Sequence, residues 1–369
     1  MNLDAPRPTA ARCSQVAAAL ALAVALGACN LVTGASDLEV ATGAAGTGGA
    51  AGPVCTPACA VGQTCDAATR TCACGAGSVT EAGLCFPADP GDPAKHTQED
   101  VCARWKTGHV AVEPSPLVAS GAMCVAGTLK PAAISDTLVR LDTFRWLLGL
   151  GPVKDDPAVN PVAQRCANLE AFYDFAQMGS PHMPPATTPC YVADGGKIAG
   201  ESNLAWGSNS PAQAIDQFIE DTGNETSLGH RRWIFNPPLG PVAVGYWEHG
   251  GMYGNAECLR VFGTSGGGPD RAWTAWPPPG FAPADVMGWI WSFHGSLGGI
   301  PSATVTMTSG SASTPLAIKV QTLGQGYGPD AISWTPSGWT PAVGTTYHVK
   351  VGGLAGGDVS YDVTFVTCP

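Results

Sequence analysis

The sequence predicts a multidomain protein in which a small disulfide-rich module precedes an α+β domain, and an all-β sandwich follows that domain. Three patterns support this fold class. Six cysteines crowd into residues 55–85, apolar residues recur at helical spacing between residues 135 and 220, and short segments after residue 301 alternate apolar with polar residues. Because the three patterns differ, we expect the three regions to be structurally distinct.

The first 28 residues have the pattern of an export signal. Arg7 and Arg12 precede an apolar run too short to span a bilayer, and the run ends in Leu-Gly-Ala-Cys at Cys29. This ending resembles the lipobox of bacterial lipoproteins. The resemblance implies cleavage before Cys29, lipidation of Cys29, and an extracytoplasmic protein anchored in the outer membrane, on its periplasmic or surface side. A plain secretory signal with a chance cysteine is the alternative.

The cysteine number and the charge agree with export. Of 14 cysteines, 12 remain if Cys13 leaves with the signal and Cys29 takes lipid. An even number in an oxidising compartment predicts six disulfides and no free thiol. The net charge of −11 argues against nucleic acid as a partner, since an acidic chain repels phosphate. The expected partners are the membrane, through the lipid, and an unidentified small-molecule, lipid or protein ligand.

Changes in composition predict the domain boundaries. Residues 29–54 are a Gly/Ala-rich flexible tether, because such a segment cannot form a core. Residues 55–87 look like an EGF-like module with an open disulfide pairing, and a zinc site is the alternative. Residues 88–130 form an irregular connector, and the α+β domain covers residues 131–268. Residues 269–369 contain a Trp/Pro-rich linker, whose tryptophans are expected to pack between domains or stack on sugars, and then the sandwich.

Three helices and several strands are expected within these boundaries. The helices begin with caps near Ser135, at Asn160 and at Ser210, each followed by an apolar face. Two β-like segments follow the third helix, at residues 242–247 and 257–262. The strands of the sandwich are expected at residues 303–308, 316–323, 331–334, 347–351 and 359–366.

The cysteines outside the Cys-rich module are also expected to pair with one another. One bridge closes a loop in the connector, a second joins the second helix to the loop that follows it, and a third fixes the two large domains together. These predicted pairs are Cys102–Cys124, Cys166–Cys190 and Cys258–Cys368.

The densest group of polar residues lies between residues 180 and 236. His182 follows the second helix, Glu201 stands in Gly-Glu-Ser-Asn-Leu, and His230 stands in Gly-His-Arg-Arg-Trp-Ile-Phe-Asn-Pro. In their order and spacing these segments resemble the CAP superfamily (cysteine-rich secretory proteins, antigen 5 and pathogenesis-related 1 proteins) in its bacterial extracellular form. The resemblance covers about residues 135–263. It departs from the animal and plant pattern by the inserted Ser202.

The resemblance implies an α-β-α sandwich with a central cleft. Two histidines and two acidic residues face that cleft in the family. By motif these correspond to His182, Glu201, Asp221 and His230, with Glu220 as the next candidate for the second acid. Family members bind sterols or lipids, or act on other proteins, so the resemblance implies that the cleft binds a small apolar or protein ligand.

Two imidazoles and two carboxylates that share a cleft can have three roles. His182, His230 and Glu201 could bind a divalent metal such as zinc. Together with Asp221, these residues could then form the site of a metal-dependent, protease-like hydrolase. Alternatively, a histidine and a carboxylate could form an acid–base pair. A purely structural role is the third alternative. The sequence contains no H-E-x-x-H motif, and the arginines after His230 are expected to pair with surface carboxylates.

Overall fold

The computed structural model describes residues 55, 59, 61–66, 68–109, 113, 116–118, 122–266 and 268–369. The predicted signal peptide, the lipidation site and the tether up to residue 54 lie outside these residues. Every described residue belongs to one compact unit, Gly52–Pro369. This unit mixes helices with several β-sheets, as the sequence predicts. In the described part of the chain, no helix is long and apolar enough to cross a membrane.

The helices and strands are numbered in chain order. The helices are α1 Gln98–Gly108, α2 Pro131–Leu147, α3 Asn160–Ala171, α4 Phe175–Met178, α5 Ala193–Ala199, α6 Pro211–Glu220 and α7 Gly229–Ile234. The strands of the N-terminal half are β1 Gln63–Cys65, β2 Cys72–Cys74, β3 Ser78–Glu81, β4 Leu84–Pro87, β5 Ser202–Trp206, β6 Ala243–Trp247 and β7 Ala256–Arg260. The remaining strands are β8 Trp273–Trp276, β9 Gly280–Pro283, β10 Trp291–Gly295, β11 Thr304–Ser309, β12 Ile318–Thr322, β13 Asp330–Pro336, β14 Thr346–Gly352 and β15 Val359–Val366.

The N-terminal ends of two helices differ from the prediction, in one case because of a proline and in the other because of a hydrogen bond to a distant strand. Helix α2 begins at Pro131 rather than near Ser135, because a proline at the first helical position lacks only an N–H that the helix would leave unpaired. Asn160 is already helical, and its side chain accepts a hydrogen bond from β6 instead of capping its own helix. Ser210 caps α6 as predicted, since its Oγ accepts a hydrogen bond from Gln213 N at 3.1 Å.

The Cys-rich module consists of two small hairpins, β1–β2 and β3–β4. Its three disulfides join the first cysteine to the third, the second to the fourth and the fifth to the sixth. They are Cys55–Cys65, Cys59–Cys72 and Cys74–Cys85. Three of the sulfur atoms lie within 4.8 Å of one another, but each belongs to a disulfide. The disulfides are therefore confirmed, and the alternative of a zinc site in this module is wrong.

The other six cysteines also pair, so the predicted number of disulfides is confirmed. Their pairing differs from the prediction in all three cases: the bridges are Cys102–Cys368, Cys124–Cys190 and Cys166–Cys258. The prediction relied on nearness along the chain and on a supposed link between domain ends. The observed bridges follow the packing instead, since α3 lies against β7 and α1 lies near the end of the chain.

A three-stranded antiparallel sheet, in the order β5-β7-β6, lies at the centre of the helical region. Cys258 of β7 is bonded to Cys166, which places α3 on one face of the sheet. Its neighbour Leu204 in β5 shares that face, so Asn203 points to the opposite face. There Asn203 Nδ2 donates to the carbonyl of His230 at 3.0 Å, which places α7 on the second face. Helices therefore cover both faces of the sheet.

The C-terminal strands form two four-stranded sheets, in the orders β12-β13-β10-β8 and β11-β14-β15-β9. Trp291 lies at their centre, with ring centroids 6.3 Å from Trp334, 6.0 Å from Tyr347 and 5.8 Å from Phe365. The Trp/Pro-rich stretch supplies three of these strands, β8 to β10. Trp276 of this stretch is fully buried and contacts the helical region, which confirms for this residue the predicted packing between domains.

Candidate functional site

One cavity brings the two predicted histidines together. It has a volume of about 430 Å³ and is lined by both His182 and His230. We call it the His cavity. Helix α7 and the start of β5 form two of its walls, and the loop between β12 and β13 closes a third. The other lining residues are Gly200, Ser202, Asn203, Asn224, Gly229, Trp233, Phe262, Gly326 and Tyr327.

Asp221 holds the imidazole of His230. The Nδ1 atom of His230 lies 2.8 Å from Oδ1 of Asp221, whose side chain is fully buried. Because a carboxylate accepts, Nδ1 donates its proton to Asp221, and Nε2 is the ring nitrogen left for a bound molecule. Asp221 can reach this position because it ends α6 in the left-handed region, with φ of 60°. Asp221, rather than Glu220, is therefore the acid beside His230.

His182 is oriented in the same way by a different partner. Its Nδ1 atom lies 2.9 Å from the carbonyl oxygen of Ala199, which can only accept. Burial lowers the pKa of His182, and the nearby His230 lowers it further. His182 is therefore neutral at pH 7 with a proton on Nδ1, and its Nε2 is a hydrogen-bond acceptor. Both imidazoles are therefore held through Nδ1, and their Nε2 atoms are left for a bound molecule.

Glu201 does not join the His cavity, which corrects the prediction from the sequence. Its Oε2 lies 2.9 Å from Nε of Arg260, and its Oε1 lies 3.9 Å from Nζ of Lys197. The pairing of β5 with β7 brings Arg260 beside Glu201, so the carboxylate is held by two cations. Among the described residues, the ligand atoms of His182, Glu201 and His230 do not all lie within 4.8 Å of one another. The predicted three-ligand metal set is therefore wrong.

The His cavity also lacks an activated nucleophile among the described residues. Ser202 lines the cavity, but its Oγ donates to the carbonyl of Ile198 at 2.7 Å. In the part of the chain that the structure describes, neither His182 nor His230 has a hydrogen bond to a hydroxyl or thiol. The arrangement can accept hydrogen bonds from a bound molecule. It does not contain the paired nucleophile and base of covalent catalysis.

The two arginines after His230 do not pair with surface carboxylates, contrary to expectation. Both are buried. Arg231 donates to the carbonyl of Glu220 at 3.1 Å and to that of Ile290 at 2.7 Å. Arg232 donates to the carbonyl of Pro329 at 2.9 Å. Burial lowers the pKa of Arg231 to about 10, so its guanidinium stays charged at pH 7. The arginines bond α7 to the sandwich and so fix the backbone that carries His230.

Three aromatic residues of the His cavity were not predicted. The rings of Trp233 and Phe262 pack with their centroids 4.7 Å apart. Tyr327 comes from the sandwich and lies so close to α7 that a Cβ at Gly229 would be 2.8 Å from its ring. The only sequence signal for Tyr327 is its glycine-rich segment, Gly-Gln-Gly-Tyr-Gly, which lies far from the motifs around residue 230.

Comparison with known proteins identifies no relative of this chain. No family model matches the chain, and neither a curated protein nor a solved structure matches it. The chemistry of the His cavity therefore follows from its own residues: two imidazoles held through Nδ1, a buried carboxylate behind one of them, and an aromatic wall.

Proposed function

We propose that the protein is a lipid-anchored, extracytoplasmic binding protein of CAP type, and that its His cavity binds a small apolar molecule that carries a hydroxyl group. The observation that carries this proposal is the coexistence of two imidazoles held through Nδ1 and an aromatic wall in one cavity.

The lining of the His cavity supports a ligand of this chemistry. Trp233, Phe262 and Tyr327 offer flat apolar surface, which favours an apolar ring system. The Nε2 atoms of His182 and His230 can accept a hydrogen bond from a hydroxyl group. Among the described residues, no lysine, arginine, aspartate or glutamate lines the cavity, so a charged ligand would lose its hydration without a counter-charge from these side chains. The volume of about 430 Å³ suits a small molecule.

The CAP assignment and the location rest on the sequence motifs. Helices on both faces of a small sheet agree with the α-β-α arrangement that the resemblance implies, and the His–Asp pair occupies the positions the family motif indicates. The lipid on Cys29 would anchor the protein in the membrane. Six disulfides agree with an oxidising compartment.

A metal-dependent hydrolase is the less favoured function. It needs a third protein ligand or a base-activated nucleophile, and Glu201 pairs with Arg260 rather than with the histidines. Two histidines alone make an incomplete zinc site. The Asp221–His230 pair could still orient a water molecule, so an activity assay belongs in the test.

A matched pair of ligands tests the proposal. Calorimetric titration of the purified protein with 2-naphthol is expected to show binding, and 2-methoxynaphthalene, which lacks the hydroxyl proton, should bind about tenfold more weakly. His230→Gln and His182→Gln should each weaken binding of 2-naphthol. His348→Gln is the control, because His348 lies exposed on β14, where it pairs with Asp362.

Two results would contradict the proposal. Equal affinity for the two naphthalene derivatives would show that the histidines do not accept a hydrogen bond from the ligand. Stoichiometric zinc in the purified protein, together with chelator-sensitive hydrolysis of peptide, ester or glycan substrates, would establish the hydrolase instead.

A further inference from the structure

A second cavity lies between the Cys-rich module and the helical region. It has a volume of about 490 Å³ and does not share a residue with the His cavity. We call it the acidic cavity, for its two carboxylates. The residues that line it are Glu81, Gly127, Thr128, Leu129, Pro131, Ile134, Ser135, Leu138, Asp155, Pro157, Asn160, Pro161, Gln164 and Val244.

Most of the wall of the acidic cavity is apolar. Leu129, Ile134 and Leu138 contribute one side, and Val244 of β6 contributes another. Pro131, at the start of α2, adds to this surface. An apolar cavity of this size between three structural elements has the form of a ligand site, because a ligand can bury most of its surface there.

Two carboxylates interrupt this apolar wall. Glu81 ends β3, and its Oε2 accepts a hydrogen bond from Ser135 at 3.2 Å. Asp155 precedes α3, and its Oδ1 accepts one from Asn160 at 2.8 Å. Both carboxylates are half-buried, and burial is the main cause that raises the pKa of each. The charge of Asp155 raises the pKa of Glu81 further, and both carboxylates line the same cavity.

These two carboxylates form no ion pair within the part of the chain that the structure describes. No lysine, arginine or histidine nitrogen there lies within 4.0 Å of Glu81 or Asp155. Two cations of this region pair with other acids: Lys130 pairs with Glu113, and Arg260 pairs with Asp156 and Glu201. Uncompensated negative charge in an apolar wall is costly unless a cation neutralises it.

We propose that the acidic cavity binds a small organic cation, an alkylammonium, with its charged end between Glu81 and Asp155 and its alkyl chain against Leu129, Ile134 and Leu138. A primary ammonium offers three N–H donors to the two carboxylates. A divalent metal ion is less suited, because no third acidic, histidine or cysteine ligand joins the two carboxylates among the described residues. Calcium and magnesium also prefer more oxygen ligands than this apolar wall provides.

Because Glu81 belongs to the Cys-rich module and Asp155 to the helical region, the bound cation would join the two parts. This inference does not depend on the function proposed for the His cavity. Its failure would leave that proposal unchanged.

Titration calorimetry with three ligands of equal chain length tests the inference. We expect the purified protein to bind n-hexylammonium, to bind 1-hexanol about tenfold more weakly, and not to bind hexanoate measurably. Glu81→Gln and Asp155→Asn should each weaken the binding of n-hexylammonium by about tenfold. Asp136→Asn is the matched control, since Asp136 is a nearby acid on α2 that does not line the cavity. Thermal unfolding of each variant verifies that it is folded.

Ile134→Trp provides a second variant that acts through shape rather than charge. It should fill part of the acidic cavity and weaken both n-hexylammonium and 1-hexanol. Equal affinity for the amine and the alcohol would overturn the inference, as would unchanged affinity in the two carboxylate variants. Displacement of n-hexylammonium by calcium at equimolar concentration would also overturn it, because the site would then be a metal site.

Discussion

Replacement of Arg231 by methionine should destabilise the protein strongly. Arg231 is fully buried and donates hydrogen bonds to the carbonyls of Ile219, Glu220 and Ile290, and to Oγ of Ser292. The first two carbonyls end α6 and have no acceptor role within the helix. The variant would leave the buried carbonyl of Ile219 and the part-buried carbonyls of Glu220 and Ile290 without this donor, at about 1–3 kcal/mol each.

Part of that cost is recovered, because the variant no longer buries a charged guanidinium, which itself costs several kcal/mol. The net loss is therefore on the order of 3 kcal/mol in the free energy of unfolding, which is the middle of the gross range less the recovered part. This is a large fraction of the roughly 5–15 kcal/mol that stabilises a typical domain. The effect should appear both in the helical region and in the sandwich, because the side chain joins α6 to the start of β10.

Urea unfolding, followed by tryptophan fluorescence and far-UV circular dichroism, measures this effect. Arg165→Met is the control: Arg165 forms a more exposed ion pair with Asp194, and its loss should cost no more than about 1 kcal/mol. If Arg231→Met unfolded within about 1 kcal/mol of the unmodified protein, the idea that this arginine ties α7 to the sandwich would be refuted.

Three further predictions concern other buried groups. Burial raises the pKa of Glu170 to about 8, and neither carboxylate oxygen has a partner among the described residues. Between pH 4.5 and about 8, the folded state therefore keeps a proton that the unfolded state loses, so the free energy of unfolding should fall as the pH rises through this range. In urea unfolding, Glu170→Gln should make this fall smaller. Replacing Cys102 and Cys368 with alanine should lower the unfolding free energy by about 2–5 kcal/mol, measured in the same way; an unchanged midpoint would contradict this. Asp221→Asn should cost about 1–3 kcal/mol and weaken 2-naphthol binding by calorimetry, because the amide can present an N–H to His230 Nδ1; unaltered binding would show that Asp221 does not orient the ring.

Local pattern predicted three of the seven helices described, α2, α3 and α6, and seven of the fifteen strands. Strand β15 has the bounds predicted from the alternation of apolar and polar residues, and α6 begins after the predicted Ser210 cap. These features depend on interactions within a few residues of the chain. The start of α3 was misjudged because the Asn160 side chain bonds to β6 rather than to its own helix. That bond exists only once the sheet has formed.

The site could be predicted in part, for the same reason. His182 and His230 line one cavity, and Asp221 orients the second histidine. Their motifs are local segments with a fixed order. Glu201 was misplaced because its carboxylate pairs with Arg260, which arrives through the pairing of β5 with β7. The partner of a carboxylate such as Glu201 is determined by tertiary contacts, and residue type alone does not reveal it.

The sandwich contribution to the His cavity was out of reach of sequence reasoning. Tyr327 lies about a hundred positions beyond His230, and no local pattern connects the two segments. The two segments are connected by hydrogen bonds from Arg232 to the backbone carbonyls of Pro329 and Gly324. Every residue has such a carbonyl, so the residue type at these positions does not indicate the contact. A charged pair along the surface was the reasonable expectation for two adjacent arginines. Burial of both changes their role.

The proposed function requires that His182 and His230 accept a hydrogen bond from one small ligand in a shared cavity. A crystal structure of the protein soaked with 2-naphthol tests this claim most directly. We predict the hydroxyl oxygen within hydrogen-bond distance of Nε2 of His182 or His230, and the ring against Trp233 and Tyr327. A metal ion coordinated by the two histidines, or an empty cavity at a saturating concentration of the ligand, would contradict it.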